Sequence, residues 1–158
     1  MKHIHVLLLI AGQTLALEPA RAPKGAEREL VTSVIIAESG GHGRKGMAAV
    51  YEVIFERASR RGTTCATEAL RYKQFSCLNG KGSAGKRATA LWWKHRSHRE
   101  YRWVHDELLK WVPITSHTGL HPGARCTHYH AVNVAPYWAK GIKPAFTFGG
   151  HHWYNNIK

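Results

Sequence analysis

The sequence predicts a mixed α+β fold, mostly helical, with its strands gathered near the C-terminal end. Three observations predict it. Apolar residues recur at helical spacing through 27–61. Aromatic and aliphatic residues recur again through 86–112, and the segments 126–134 and 146–154 alternate and carry aromatics, as short strands do. At 158 residues the chain is expected to form one domain. Its hydrophobic content of 44% and its six Trp exclude a disordered tail.

Each element has its own signal. Lys2, then Val6 to Ala11 and an apolar stretch on to Leu17, read as an export signal over residues 1–16, with Thr14-Leu15-Ala16 as the cleavage site. The stretch is too short to span a bilayer, and the other readings are an uncleaved anchor or a first core strand. Residues 17–26, with Pro19 and Pro23, read as a linker, which leaves 27–158 as the folded domain. Leu30, Val31, Val34 and Ile35 give the first helix one apolar face, and Ser39-Gly40-Gly41 ends it. Met47, Val50, Tyr51 and Ile54 mark the buried face of a second helix from about Arg44 to Arg61, and Gly62 stops it. Thr64 caps a short helix, Cys65 to Arg71. Tyr72 to Cys77 reads as a loop or extended piece, Asn79 to Gly85 as a flexible glycine-rich one, and 86–112 as a third long helix ending before Pro113. Residues 114–125 read as an irregular loop.

The net charge is +13, from 23 Lys and Arg against 10 Asp and Glu. Such a chain seeks polyanions, and an exported one meets them as anionic envelope polymers and lipid. No dedicated nucleic-acid partner is expected, and a monomer is. The three cysteines, Cys65, Cys77 and Cys126, lack the spacing of a zinc or redox site, and one bridge plus one buried thiol suits an oxidising compartment.

Of the ten acids, nine sit in the linker, in first turns, on wet helix faces or in basic surroundings, and read as solvated charges; Glu68 is among them. Glu38 differs. It lies four residues after Val34 and eight after Leu30, on the apolar face of its helix. Burial there is expected to raise its pKa and to keep a proton available for a glycosidic oxygen. The plainer reading is a Glu that caps its helix end or pairs with Arg.

Several short motifs now fall into one order. They are Ala37-Glu38-Ser39-Gly40-Gly41, then Gly46-Met47-Ala48-Ala49-Val50, Arg57, Tyr72-x-Gln74-Phe75-Ser76-Cys77, Cys126-Thr127-His128-Tyr129 and Gly150-His151-His152-Trp153-Tyr154. Their order and approximate spacing resemble those of the SleB-type cell wall hydrolases, the spore-cortex-lytic and related enzymes, over roughly residues 29–154 apart from the middle helix and loop. The resemblance implies a lysozyme-like α+β domain, mostly helical with a small antiparallel β-sheet, similar to lytic transglycosylases. It implies cleavage of the bond between N-acetylmuramic acid and N-acetylglucosamine in peptidoglycan glycan strands, without cofactor or metal. Glu38 matches the family's catalytic glutamate, which protonates the bridge and then draws a proton from the muramic acid C6 hydroxyl to leave a 1,6-anhydro sugar. A conventional glycosidase needs two carboxylates, and no convincing second one is present. The chain departs from the family at His42, where a second Glu is usual. A His there binds sugar or orients Glu38, and as a cation would lower the pKa of Glu38.

The resemblance also proposes a sugar-binding set of His42, Gln74, Phe75, Ser76, Thr127, His128, Tyr129, Asn133 and His152. Phe75 reads equally as core. Tyr129 is the second candidate for the catalytic centre, because a phenol steadies developing charge. Trp138 and Trp153 read as sugar platforms or as core. Two rivals remain. His128-x-His130 and one of His151-His152 offer imidazoles to zinc, as in an amidase that frees peptide from muramic acid. Alternatively the basic and aromatic run Lys94 to Trp103 makes a non-catalytic polyanion-binding module.

Overall fold

The structure is a computed structural model that describes residues 21–80, 82–110, 126–155 and 157. The expected export signal, residues 17–20 of the linker and the loop at 114–125 lie outside the described residues.

The α+β expectation holds: four α-helices precede a three-stranded antiparallel sheet. Helix α1, Ala26–Ser39, buries Val31, Val34, Ile35 and Ile36. It ends in a 3-10 turn, Gly40–His42. Helix α2, Gly43–Arg61, buries Met47, Val50, Tyr51, Ile54 and Phe55 against it, and Gly62 closes it in the left-handed conformation. Helix α3 is shorter than expected, Cys65–Ala69, and the Thr67 amide donates to the hydroxyl of its cap, Thr64. A turn leads to the 3-10 segment Ser76–Leu78 and then to α4, Ala84–His95, capped by Ser83. The α1 axis is central, because α2, α3 and α4 all pack on it.

Four expectations need correction. The single helix across 86–112 is two pieces. Helix α4 stops at His95, and a π-helical turn, Trp103–Glu107, and a 3-10 turn, Leu108–Lys110, follow after a bend. The ring Nδ1 of His98 accepts the Glu100 amide hydrogen, which starts the second piece and competes with helix continuation. The glycine-rich loop is tethered on the side of α4, since Arg87 donates to the carbonyls of Leu78, Gly80 and Gly82. The last strand is a hairpin: β2, Phe146–Phe148, and β3, His151–Tyr154, turn at Gly149-Gly150. Both glycines have positive φ, 57° and 71°, which a tight two-residue hairpin demands. Strand β1, His128–Ala131, pairs with β3, so the order is β1-β3-β2. Finally, Glu68 is fully buried rather than solvated. Arg61 reaches it at 2.6 Å and Arg71 at 3.0 Å, so its charge is compensated by two cations.

The three thiols are free, and no bridge joins Cys65, Cys77 and Cys126. Burial pushes the Cys65 and Cys126 thiols up to about 12, so they behave as small apolar side chains.

Candidate active site

Helix α1 delivers Glu38 to one end of the helical layer, where the sheet folds over it. Alternation along β1 aims Tyr129 inward, and the register sets Tyr129 opposite Trp153. Trp153 is buried, and its indole nitrogen donates to the Phe148 carbonyl. Tyr129 stacks on it with ring centres 4.9 Å apart, which fixes the phenol. The phenol then donates to Glu38 Oε2 at 3.1 Å. The segment after α3 supplies two more donors: the Ser76 hydroxyl at 3.0 Å and the Cys77 amide at 2.9 Å, both to Glu38 Oε1. Three donors from two distant parts of the chain thus orient one half-buried carboxyl group.

This carboxyl group lies in a cleft of about 520 Å³. Gln74, Ser76, His128, Tyr129, His151 and Trp138 line it with Glu38. Glu38 is the one Asp or Glu among the described lining residues. Burial and the adjacent Glu38 charge raise the Tyr129 phenol well above its ordinary range, so it remains a donor. Burial, then Arg57, Arg61 and Arg60, push His128 down to about 4, so its ring is neutral near pH 7.

The structure sorts the expected sugar-binding residues. Gln74, Ser76, His128 and Tyr129 line the cleft with Glu38. Phe75 does not; it is 1% exposed and belongs to the core. Thr127 is buried beneath the strand, its hydroxyl hydrogen bonded to His128 Nδ1. Asn133 is exposed on the turn after β1, outside the cleft lining. His152 faces away from Tyr129, as alternation requires, and borders a second depression with Pro136, Tyr137 and Tyr154. His42 is exposed; its ring meets the edge of His151 at 4.8 Å, and His151 in turn meets Tyr129 at 5.4 Å.

Other lining residues lie outside the expected sugar-binding set: Lys73 and Asn79, Arg57, named only as a motif position, and His130 and His151, named only as zinc candidates. Two carried a usable signal. Arg57 follows Ile54 by three and Val50 by seven, a charge on an apolar helix face, as Glu38 is. His130 shares its strand face with His128. Lys73 carried none, because its backbone sits at φ 58°, a conformation set by the turn around it. Trp138 borders the cleft and contacts His128 and His130. Trp153 is core.

The proposed imidazole set for zinc is divided among other bonds. His130 Nε2 is hydrogen bonded to the Tyr154 hydroxyl, and His152 Nδ1 to the Thr147 hydroxyl. Among the described residues no group of three or more His, Cys, Asp or Glu is placed to hold a metal ion. Comparison of the chain with family models, with curated proteins and with solved structures found no match.

Proposed function

We propose that this protein is an exported peptidoglycan-cleaving enzyme with a lysozyme-like catalytic domain, acting on glycan strands as a lytic transglycosylase through Glu38. The observation that carries this reading is the Glu38 carboxyl group in an open cleft, gripped by Ser76, Cys77 and Tyr129. A lone carboxyl group among the described lining residues suits a mechanism in which one residue is acid and then base. A two-carboxylate hydrolysis needs a second acid on the opposite side of the sugar.

In that mechanism the protonated Glu38 gives its proton to the oxygen bridging N-acetylmuramic acid and N-acetylglucosamine. The bond from that oxygen to the muramic C1 breaks. The carboxylate left behind takes the proton of the muramic C6 hydroxyl, whose oxygen bonds to C1 and closes the 1,6-anhydro ring. Tyr129 and the Cys77 amide keep donating as the carboxylate forms, and the Ser76 hydroxyl rotates between donor and acceptor roles. Gln74 and Trp138 on the cleft walls offer an amide and an aromatic face to the sugars.

Glu38→Gln keeps the shape and removes the transferable proton. Its expected effect on sacculus lysis is a loss on the order of 10²–10⁴-fold, with sacculus binding retained. Mass spectrometry of the wild-type digest is expected to show anhydro-muramic ends. Reducing ends alone would replace transglycosylation by hydrolysis. Undiminished lysis by the variant would remove Glu38 from the mechanism, and binding without lysis by the wild-type protein would leave a basic envelope-binding module.

A further inference from the structure

Arg57 is one of the cleft residues for which the reaction above has no use. It stands on the apolar side of α2 and is only 6% exposed. Its Nε donates to the Thr127 carbonyl, and its guanidinium lies 5.7 Å from the centre of the Phe75 ring. Neither contact neutralises its charge. The nearby acids are committed elsewhere: Glu68 to Arg61 and Arg71, Glu56 to Arg60, and Glu38 to its three donors. No salt bridge joins Arg57 to an acid among the described residues, and its buried Nη1 has no hydrogen-bond acceptor. Burial lowers the Arg57 pKa from its ordinary value, yet a guanidinium does not lose its proton in a protein.

A buried cation with no ion-pair partner of its own is costly to the fold, and for Arg57 the effect of burial outweighs that of the nearby Glu68 charge. Nη1 is sealed from solvent, but Arg57 also lines the cleft, where an anion arriving with the ligand supplies the missing charge. We propose that Arg57 binds an anionic substituent of the glycan beside the cleaved bond, namely a carboxylate. In a peptidoglycan strand that group is the lactyl carboxylate of a muramic acid stripped of its peptide. A planar guanidinium matches a carboxylate, and a peptide-bearing muramic acid presents a neutral amide in the same place. Lys73, also on the lining, adds a second positive charge, while His128 stays neutral. Arg57 would thereby set a preference for stripped over peptide-bearing strands. This rests on the glycan-cleaving reading, and its test is kept separate from it.

The test compares three ligands: stripped strands, peptide-bearing strands, and stripped strands whose lactyl carboxylates have been converted to methyl amides. Binding to Glu38→Gln protein is measured by calorimetry, which needs no turnover. Stripped strands are expected to bind about tenfold to a hundredfold more tightly than the amidated ones, the range of a charge-assisted pair. The added Arg57→Gln change is expected to collapse that ratio towards one, and Arg57→Lys to restore part of it. Equal binding of stripped and amidated strands by the Arg57-containing protein overturns the proposal, and this measurement holds even if the Arg57 variants do not fold. A ratio that survives Arg57→Gln in folded protein also overturns it. Failure of the glycan-cleaving reading shows separately, as a wild-type digest that contains no new glycan ends.

Discussion

Glu38 and Tyr129 sit 91 positions apart and meet through one hydrogen bond at 3.1 Å. The phenol is a positioning group: it touches the carboxyl group, and Trp153 beneath it fixes its angle. Tyr129→Phe keeps the stack and removes the hydroxyl. The expected result is a fall of about tenfold to a hundredfold in kcat, with an unchanged melting temperature within a few degrees. A fall in KM or stability alone, with kcat intact, would assign the hydroxyl to packing. The sequence reading reached both residues by different routes. Glu38 was legible from spacing, because a helix has a fixed period. Tyr129 was legible only through motif resemblance, because nothing local in a strand says which distant carboxyl group it faces. Arg57 was legible by the Glu38 argument, although only its place in the motif was read.

At the scale of elements, the site depends on the hairpin lying close to the start of α2. Gly149 and Gly150 pass against His42, and a Cβ on Gly46 would stand 2.8 Å from the Cβ of His42. That neighbour is fixed by its own backbone, so it cannot swing away. Gly46→Ala is therefore expected to cost about 1–3 kcal/mol, measured by chemical denaturation, and to loosen the corner between α1 and α2. An alanine variant as stable as the parent would mean the corner yields freely. His42 is part of the same corner. It occupies the space where α1, α2 and the hairpin converge, and its edge contact with His151 links that corner to Tyr129. The double glycine at 149–150 was a readable hairpin signal. The break after His95 was not, since no Gly or Pro marks it and a ring nitrogen of His98 makes the new start.

For the whole molecule, the basic surplus shows its effect in the histidines near arginines. The folded His128 titrates at about 4, because of burial and then Arg57, Arg61 and Arg60, against about 6.5 when unfolded. Between those values the unfolded chain binds more protons than the folded one. Stability from this residue is full above pH 6.5 and is lost as pH falls towards 4. His151 and His95 are shifted down as well, which adds in the same direction. The melting temperature is expected to decline through that window, and His128→Asn to flatten the decline. Parallel curves for parent and variant would contradict the assignment. No helix of the described residues is long and apolar enough to cross a membrane.

The chain by itself determined the helices of residues 26–61, the cap at Thr64, the positive charge and the singular position of Glu38. These depend on near neighbours and on a fixed period, so they can be read along one dimension. Only the tertiary structure decided that Phe75 and Thr127 are buried, that Asn133 and His152 turn away, and that Glu68 is enclosed by two arginines. It also decided which donors reach the Glu38 carboxyl group. Whether a polar side chain faces a cleft, a core or water depends on what packs over it. The residues that do so here come from far along the chain, where local periodicity carries no information.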